Sequence, residues 1–119
     1  MARVLVAEDE AFTAMALVDG LQEHGHTVRD AADGALAIKA LDGFKPDVLV
    51  TDLMMPNVDG AALIRHVRRE IGAAIRVILI SGVPEAKLPG DIHYDAYLGK
   101  PVDHQTLADL ITGFGAAPA

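Results

Sequence analysis

Cysteine is absent from the 119-residue chain, which excludes both a disulfide framework and a thiolate metal site. That absence fits a reducing compartment. No apolar run approaches the roughly 18 residues of a membrane-crossing helix. The start, Met1-Ala2-Arg3-Val4, passes straight into a strand pattern and lacks the apolar stretch and cleavage site of a secretory leader. A cytoplasmic protein without membrane contact is the expectation. Positive charge is also scarce: 10 Lys and Arg stand against 17 Asp and Glu, a formal net charge of −7. Binding a phosphate backbone needs clustered cations, so nucleic acid is not an expected partner. Arg65, Arg68 and Arg69 form the only basic cluster and read as a solvated helix face.

Apolar residues make up 51% of the chain, so a packed core is expected rather than disorder. The length is that of one domain, residues 1–119, with 113–119 as a frayed tail of small residues. The apolar runs are continuous rather than alternating, as in parallel strands covered by helices on both faces. Between them, helical stripes recur. Ala14, Leu17, Val18 and Leu21 form the first, stopped by Gly25. Thr27 to Ala31 reads as a short second strand, and Asp33-Gly34 as a turn or cap opening a small helix that ends near Asp42-Gly43. Gly60, Leu63, Ile64 and Val67 form another stripe, extended by Ile71 and capped by Asp59. Leu107, Leu110, Ile111 and Phe114 form the last, with Asp103 as its N-cap. The pattern predicts a doubly wound α/β fold: five parallel strands in the order 2-1-3-4-5 with right-handed crossovers.

One segment breaks that rhythm. Pro84 can open a helix, but Pro89-Gly90 ends it after about one turn. A stub or irregular loop is expected where a fourth helix would stand.

Polar residues directly follow four of the apolar runs. Val4 to Ala7 leads to Glu8-Asp9, Val48 to Thr51 leads to Asp52, Val77 to Ile80 leads to Ser81, and Ala96 to Gly99 leads to Lys100. In an open parallel sheet all these carboxyl ends share one edge, where ligands bind at the reversal of strand order. Each acid alone would read as a helix cap or a solvated loop residue. Together they form a cluster whose mutual repulsion is about 4 kcal/mol per pair at 4 Å and an effective dielectric near 20. Such a cluster protonates or recruits a cation. Oxygen ligands favour Mg²⁺ or Mn²⁺ over zinc. A metal so held suits phosphoryl transfer, with Asp52 as nucleophile, Glu8 and Asp9 as metal holders, and Ser81 and Lys100 paired with phosphoryl oxygens.

The acidic pair Glu8-Asp9, the stretch Asp52-Leu53-Met54-Met55-Pro56 ending at Gly60, the hydroxyl of Ser81 and Lys100-Pro101 resemble the signature of response-regulator receiver domains. The resemblance covers essentially the whole chain and implies a flavodoxin-like fold. It implies Mg²⁺-dependent transfer to Asp52 from a histidine kinase or a histidine phosphotransfer protein. The metal would be held by Asp9, Asp52 and the main-chain carbonyl of Met54, with Glu8 acting through water. It further implies a cis peptide before Pro101 and a switch formed by Ser81 and Tyr97. Ser81 and Lys100 would gain partners only in the phosphorylated state, and Ser81 moving inward would let Tyr97 follow. Their short separation departs from the family pattern and points to a subgroup lacking the fourth helix. Met54 and Val83 flank the expected path of hydrolytic water and offer it no hydrogen bond, so self-dephosphorylation should be slow.

A stand-alone receiver acting on an unidentified downstream protein, as a monomer or weak dimer, is the leading reading. A haloacid-dehalogenase-like aspartyl phosphatase would need an acid at position 54, which holds Met54. An unphosphorylated scaffold of the same fold is disfavoured because every station of the site is filled. A flavodoxin is disfavoured because Glu8-Asp9 would repel its phosphate. His24, His26, His66, His93 and His104 read as solvated, and Met15, Met54 and Met55 as packing residues.

Overall fold

The computed structural model of the chain describes residues 1–116. The elements run β1 (Arg3–Ala7), α1 (Ala11–Glu23), β2 (Thr27–Ala31), α2 (Gly34–Phe44), β3 (Val48–Asp52), α3 (Gly60–Glu70), β4 (Arg76–Ser81), β5 (Ala96–Gly99) and α4 (His104–Ala116). The strands form one parallel sheet in the order β2-β1-β3-β4-β5. The predicted α/β architecture and strand order therefore hold.

Alternation along the central strands explains why their apolar runs are unbroken. Leu5, Leu49, Val77 and Leu79 pack with Ala37, Leu41 and Phe44 of α2 and with Leu63, Ile64 and Val67 of α3. Their neighbours Val4, Val6, Val50, Ile78 and Ile80 pack with Leu17 and Leu21 of α1 and with Leu107 and Ile111 of α4. Each face is closed by its own helix pair, and truncating one of these leucines to alanine costs about 2–5 kcal/mol. The helix starts are local. Asp33 accepts from Leu36 N at 2.8 Å, Asp59 from Ala62 N at 2.8 Å, and Asp103 from Thr106 N at 3.2 Å. Each satisfies an amide that the first helical turn leaves unpaired.

Between β4 and β5 only a single 3-10 turn, Glu85–Lys87, replaces a helix. Val83, Leu88, Ile92 and Tyr94 from this segment cover the α2/α3 core. Arg68 ties this segment to the connection between α3 and β4, satisfying carbonyls of both. The guanidinium donates to His93 O at 2.7 Å, Gly72 O at 2.9 Å and Ile75 O at 2.8 Å, and pairs with Asp95 Oδ2 at 2.9 Å. Arg65 grips both oxygens of Asp91 at 2.7 and 2.8 Å. Arg68 is thus a tie to the rebuilt segment rather than part of a solvated face, whereas Arg65 and Arg69 are exposed as the sequence predicts, Arg65 in a surface pair with Asp91.

Further expectations are corrected. Helix α3 ends at Glu70, so Ile71 caps it and lies 40% exposed instead of extending the stripe. Met15 and Met54 are exposed and pack in no core, whereas Met55 does pack. His26 is buried; its Nδ1 accepts from Ala2 N at 3.0 Å, which docks the start of the chain beside β2. Helix α4 continues through Ala116 where fraying was expected from 113, and 117–119 lie outside the described residues.

Candidate functional site

The register brings the polar stations to one edge. Ala7 of β1 pairs with Thr51 of β3, so Glu8 and Asp52 follow at adjacent strand ends. Asp52 pairs with Ile80 and Ser81 with Gly99, which places Ser81 and Lys100 on the other side of Asp52. Gly60 seats the loop after β3 directly over this edge. A Cβ at Gly60 would lie 2.1 Å from Asp52 O, so only glycine permits the approach. The Gly60 amide donates to Leu53 O at 2.7 Å and closes the loop on itself.

Carboxylate oxygens of Glu8, Asp9 and Asp52 lie within 4.8 Å of one another. Glu8 and Asp52 are buried, and Asp9 is exposed at the mouth. Lys100 Nζ donates to Asp52 Oδ2 at 2.8 Å and to Glu8 Oε1 at 3.0 Å. The remaining oxygens are also used: Asp52 Oδ1 accepts from Leu53 N at 2.8 Å, and Glu8 Oε2 from Glu10 N at 3.0 Å. Burial pushes the Glu8 carboxyl above the ordinary glutamate value, aided by the Asp52 charge and opposed by the Glu10 amide and Lys100. Burial works against the Lys100 ammonium, but its bonds to Asp52 and Glu8 outweigh that and hold its pKa above the ordinary lysine value.

One ammonium does not neutralise three carboxylates. The donor set is all oxygen, compact and net negative, and it fits a hard divalent cation such as Mg²⁺ or Mn²⁺.

Ser81 is buried, and its Oγ accepts from Val83 N at 2.9 Å. Tyr97 is half-buried; its hydroxyl donates to Val83 O and lies 3.3 Å from Ser81 O. The Lys100–Pro101 peptide is cis. Lys100 and Ser81 therefore have partners already, contrary to the expectation that they find them only after phosphorylation. The reason is electrostatic and steric: a half-buried ammonium beside two buried carboxylates pairs with them, and a buried hydroxyl takes the nearest amide.

Sequence reasoning missed one part of the site's frame. Asn57, in the loop after β3, adopts the left-handed region with φ 66, and its Nδ2 donates to Asp33 Oδ2 at 2.7 Å. The Gly34 amide donates to Val58 O at 3.0 Å beside it. An asparagine in a loop is a cue for positive φ, but nothing local names a partner 24 residues away.

The response regulator receiver domain family matches residues 4–112, and the chain belongs to that family. It is 35% identical over 116 residues to the sensor kinase CckA of Brucella abortus, across 92% of this chain and 12% of that kinase's length. Protein PilH of Pseudomonas aeruginosa is 32% identical over 115 residues, across 93% of this chain and 95% of PilH. The receiver domain of the Francisella response regulator 1452 superposes with a TM-score of 0.85 at 30% identity, across 94% of both chains. The chain is thus a receiver of two-component signalling, and its site is consistent with accepting a phosphoryl group. The phosphatase alternative gains no support, since Met54 occupies the position its acid requires.

Proposed function

We propose that Asp52 is the phospho-acceptor, taking a phosphoryl group from the phosphohistidine of a histidine kinase or histidine phosphotransfer protein. One carboxylate oxygen of Asp52 attacks phosphorus, the phosphorus–nitrogen bond breaks, and the imidazole leaves with the electron pair and takes up a proton. Asp9, Asp52 and the Met54 carbonyl would hold Mg²⁺ or Mn²⁺, with Glu8 acting through water. Bound there, the ion supplies charge neutralisation for the phosphoryl oxygens. Lys100 supplies a further cation already aimed at Asp52. The observation that carries this reading is the compact set of Glu8, Asp9 and Asp52 oxygens with the Lys100 ammonium 2.8 Å from Asp52.

Phosphorylation turns one carboxylate oxygen into the bridge to a phosphoryl group, which brings three terminal acceptor oxygens and added negative charge. Lys100 then exchanges Glu8 for the phosphoryl group, and Ser81 Oγ leaves Val83 N to donate to it. The Tyr97 hydroxyl, bonded to the carbonyls of Val83 and Ser81, moves with that backbone and alters the surface offered to a downstream protein. The extent of switching is limited by the difference in these contacts between the two states. Beside Lys100, Phe12, Ala16, Pro101, Val102 and His104 line a groove of about 560 Å³. With Phe12 80% exposed at its edge, this groove is where the donor protein would rest.

Intact mass after incubation with acetyl phosphate and Mg²⁺ tests the assignment. The natural chain should gain one phosphoryl group and Asp52→Asn none. Equal gain in both would assign the acceptor elsewhere.

A further inference from the structure

We propose that Asp33 and Asn57 are positioning residues for the metal-binding loop: their side-chain bond fixes the segment that carries the Met54 carbonyl toward the acidic cluster. This rests on the proposed phospho-acceptor site and extends it to two residues outside that site.

The loop between β3 and α3 spans residues 53–59, and its ends are held at the sheet. Leu53 N donates to Asp52 Oδ1 at 2.8 Å, and Gly60 N to Leu53 O at 2.7 Å. Those bonds fix the base of the loop and leave its crown to other contacts. The crown is held from α2. Asn57 Nδ2 reaches Asp33 Oδ2 at 2.7 Å, while Gly34 N donates to Val58 O at 3.0 Å. The approach is close: a Cβ at Gly34 would stand 2.2 Å from Val58 O, so α2 starts with the one residue that lets the loop lie against it.

Asp33 is suited to the task because both of its oxygens are committed. Oδ1 caps α2 through Leu36 N at 2.8 Å, and Oδ2 receives Asn57. The carboxylate is anchored to a helix start, so it presents a fixed acceptor, and the same bonds from Leu36 and Asn57 hold its pKa low. Asn57 supplies two properties at once: tolerance of φ 66 and a neutral amide donor. A carboxylate at 57 would repel Asp33, and an alanine would keep neither property. Metal affinity depends on such outer contacts because they hold a ligand in place before the ion arrives. Met54 is 67% exposed and has no side-chain anchor of its own, so its carbonyl is held through its neighbours: the buried Leu53 and packed Met55 on either side, and the crown that closes the loop beyond them.

The test reads Mg²⁺ binding directly in the unphosphorylated protein, from the backbone amide resonances of Leu53 and Met54 during Mg²⁺ titration. Asn57→Gly keeps the left-handed backbone and deletes the amide; it should weaken Mg²⁺ about tenfold while melting within a few degrees of the natural chain. Asn57→Asp should weaken it further by repulsion. The exchange Asp33→Asn with Asn57→Asp restores one carboxylate and one amide and should recover most of the affinity, which a loss of general stability would not do. Unchanged Mg²⁺ affinity in both single variants, or no recovery in the exchange, overturns the inference. The same samples separate it from the parent reading. A natural chain that binds no Mg²⁺ and gains no phosphoryl group refutes the phospho-acceptor site itself, whereas a natural chain that does both beside unaltered variants refutes only the positioning role.

Discussion

Lys100 sets its ammonium 2.8 Å from the Asp52 carboxylate, joining residues 48 positions apart in the chain. The pair shares its cation with Glu8, whose side chain is only 2% exposed. The acidic cleft is therefore already partly compensated from within.

Replacing Lys100 with methionine removes that compensation. Two buried carboxylates then face each other without a cation. Breaking a fully buried pair costs about 3–5 kcal/mol. The Lys100 side chain is 31% exposed, so a smaller loss, on the order of 1–3 kcal/mol at pH 7, is expected. Mg²⁺ should restore more of the melting temperature in Lys100→Met than in the natural chain, because it takes over the missing charge. Equal Mg²⁺ shifts in the two proteins would contradict a shared site.

Slow loss of the phosphoryl group is expected from Met54 and Val83. Neither side chain can orient or deprotonate an attacking water. Phosphorylated protein should persist for minutes or longer after the donor is removed, and Met54→Asn should shorten that lifetime severalfold. Decay within seconds in the natural chain would refute the idea.

His26 makes stability depend on mild acid. Burial first, then the charges of the amino terminus and His24, hold its pKa below the ordinary histidine value. Nδ1 accepts the Ala2 amide, so the ring is neutral with its proton on Nε2, which is buried with no partner among the described residues. A depressed histidine contributes its full stability above the unfolded value of roughly 6.5, and loses it as pH falls through the lower folded value. Glu8, whose pKa is raised, works in the opposite direction, since acid relieves its buried charge. The histidine contribution is thus read as a difference: the melting temperature of His26→Gln should fall less than that of the natural chain between pH 7 and 5. Parallel curves would exclude His26 as the source.

Glycine at 60 is required by contact rather than by φ. Gly60→Ala would drive a Cβ into Asp52 O, and overpacking against backbone costs about 3 kcal/mol, or roughly 12 °C in melting temperature. Gly43→Ala has nothing within 4 Å and lies inside α2, so it should raise stability by about 0.5 kcal/mol. Thermal melts of the two variants should move in opposite directions.

The central strands were legible because burial on both faces writes itself as unbroken apolar runs, as in Val77 to Ile80. Their order followed from the doubly wound pattern of alternating strands and helices. The caps Asp33, Asp59 and Asp103 were legible because capping is local. The stub between β4 and β5 showed through Pro84 and Pro89-Gly90. What escaped was long-range or geometric. Arg68 lies on the flank of α3 beside the rebuilt segment, and no local rule says that its guanidinium will bridge His93 O to the carbonyls of Gly72 and Ile75. His26 sits between Gly25 and Thr27 in a polar turn, so only the fold reveals that the chain start closes over it. Lys100 was placed at the right edge, but its sharing between Glu8 and Asp52 depends on distances that spacing does not encode.

The three-residue turn between β4 and β5 has a wider consequence. An arginine-braced strap stands here in place of a helix, while the strand tips beside it still bring Ser81 and Lys100 to one edge. The outer surface between β4 and β5 is thus built independently of the strand-end cluster, so a substitution in the strap, away from Arg68, should leave the Glu8, Asp52 and Lys100 contacts in place.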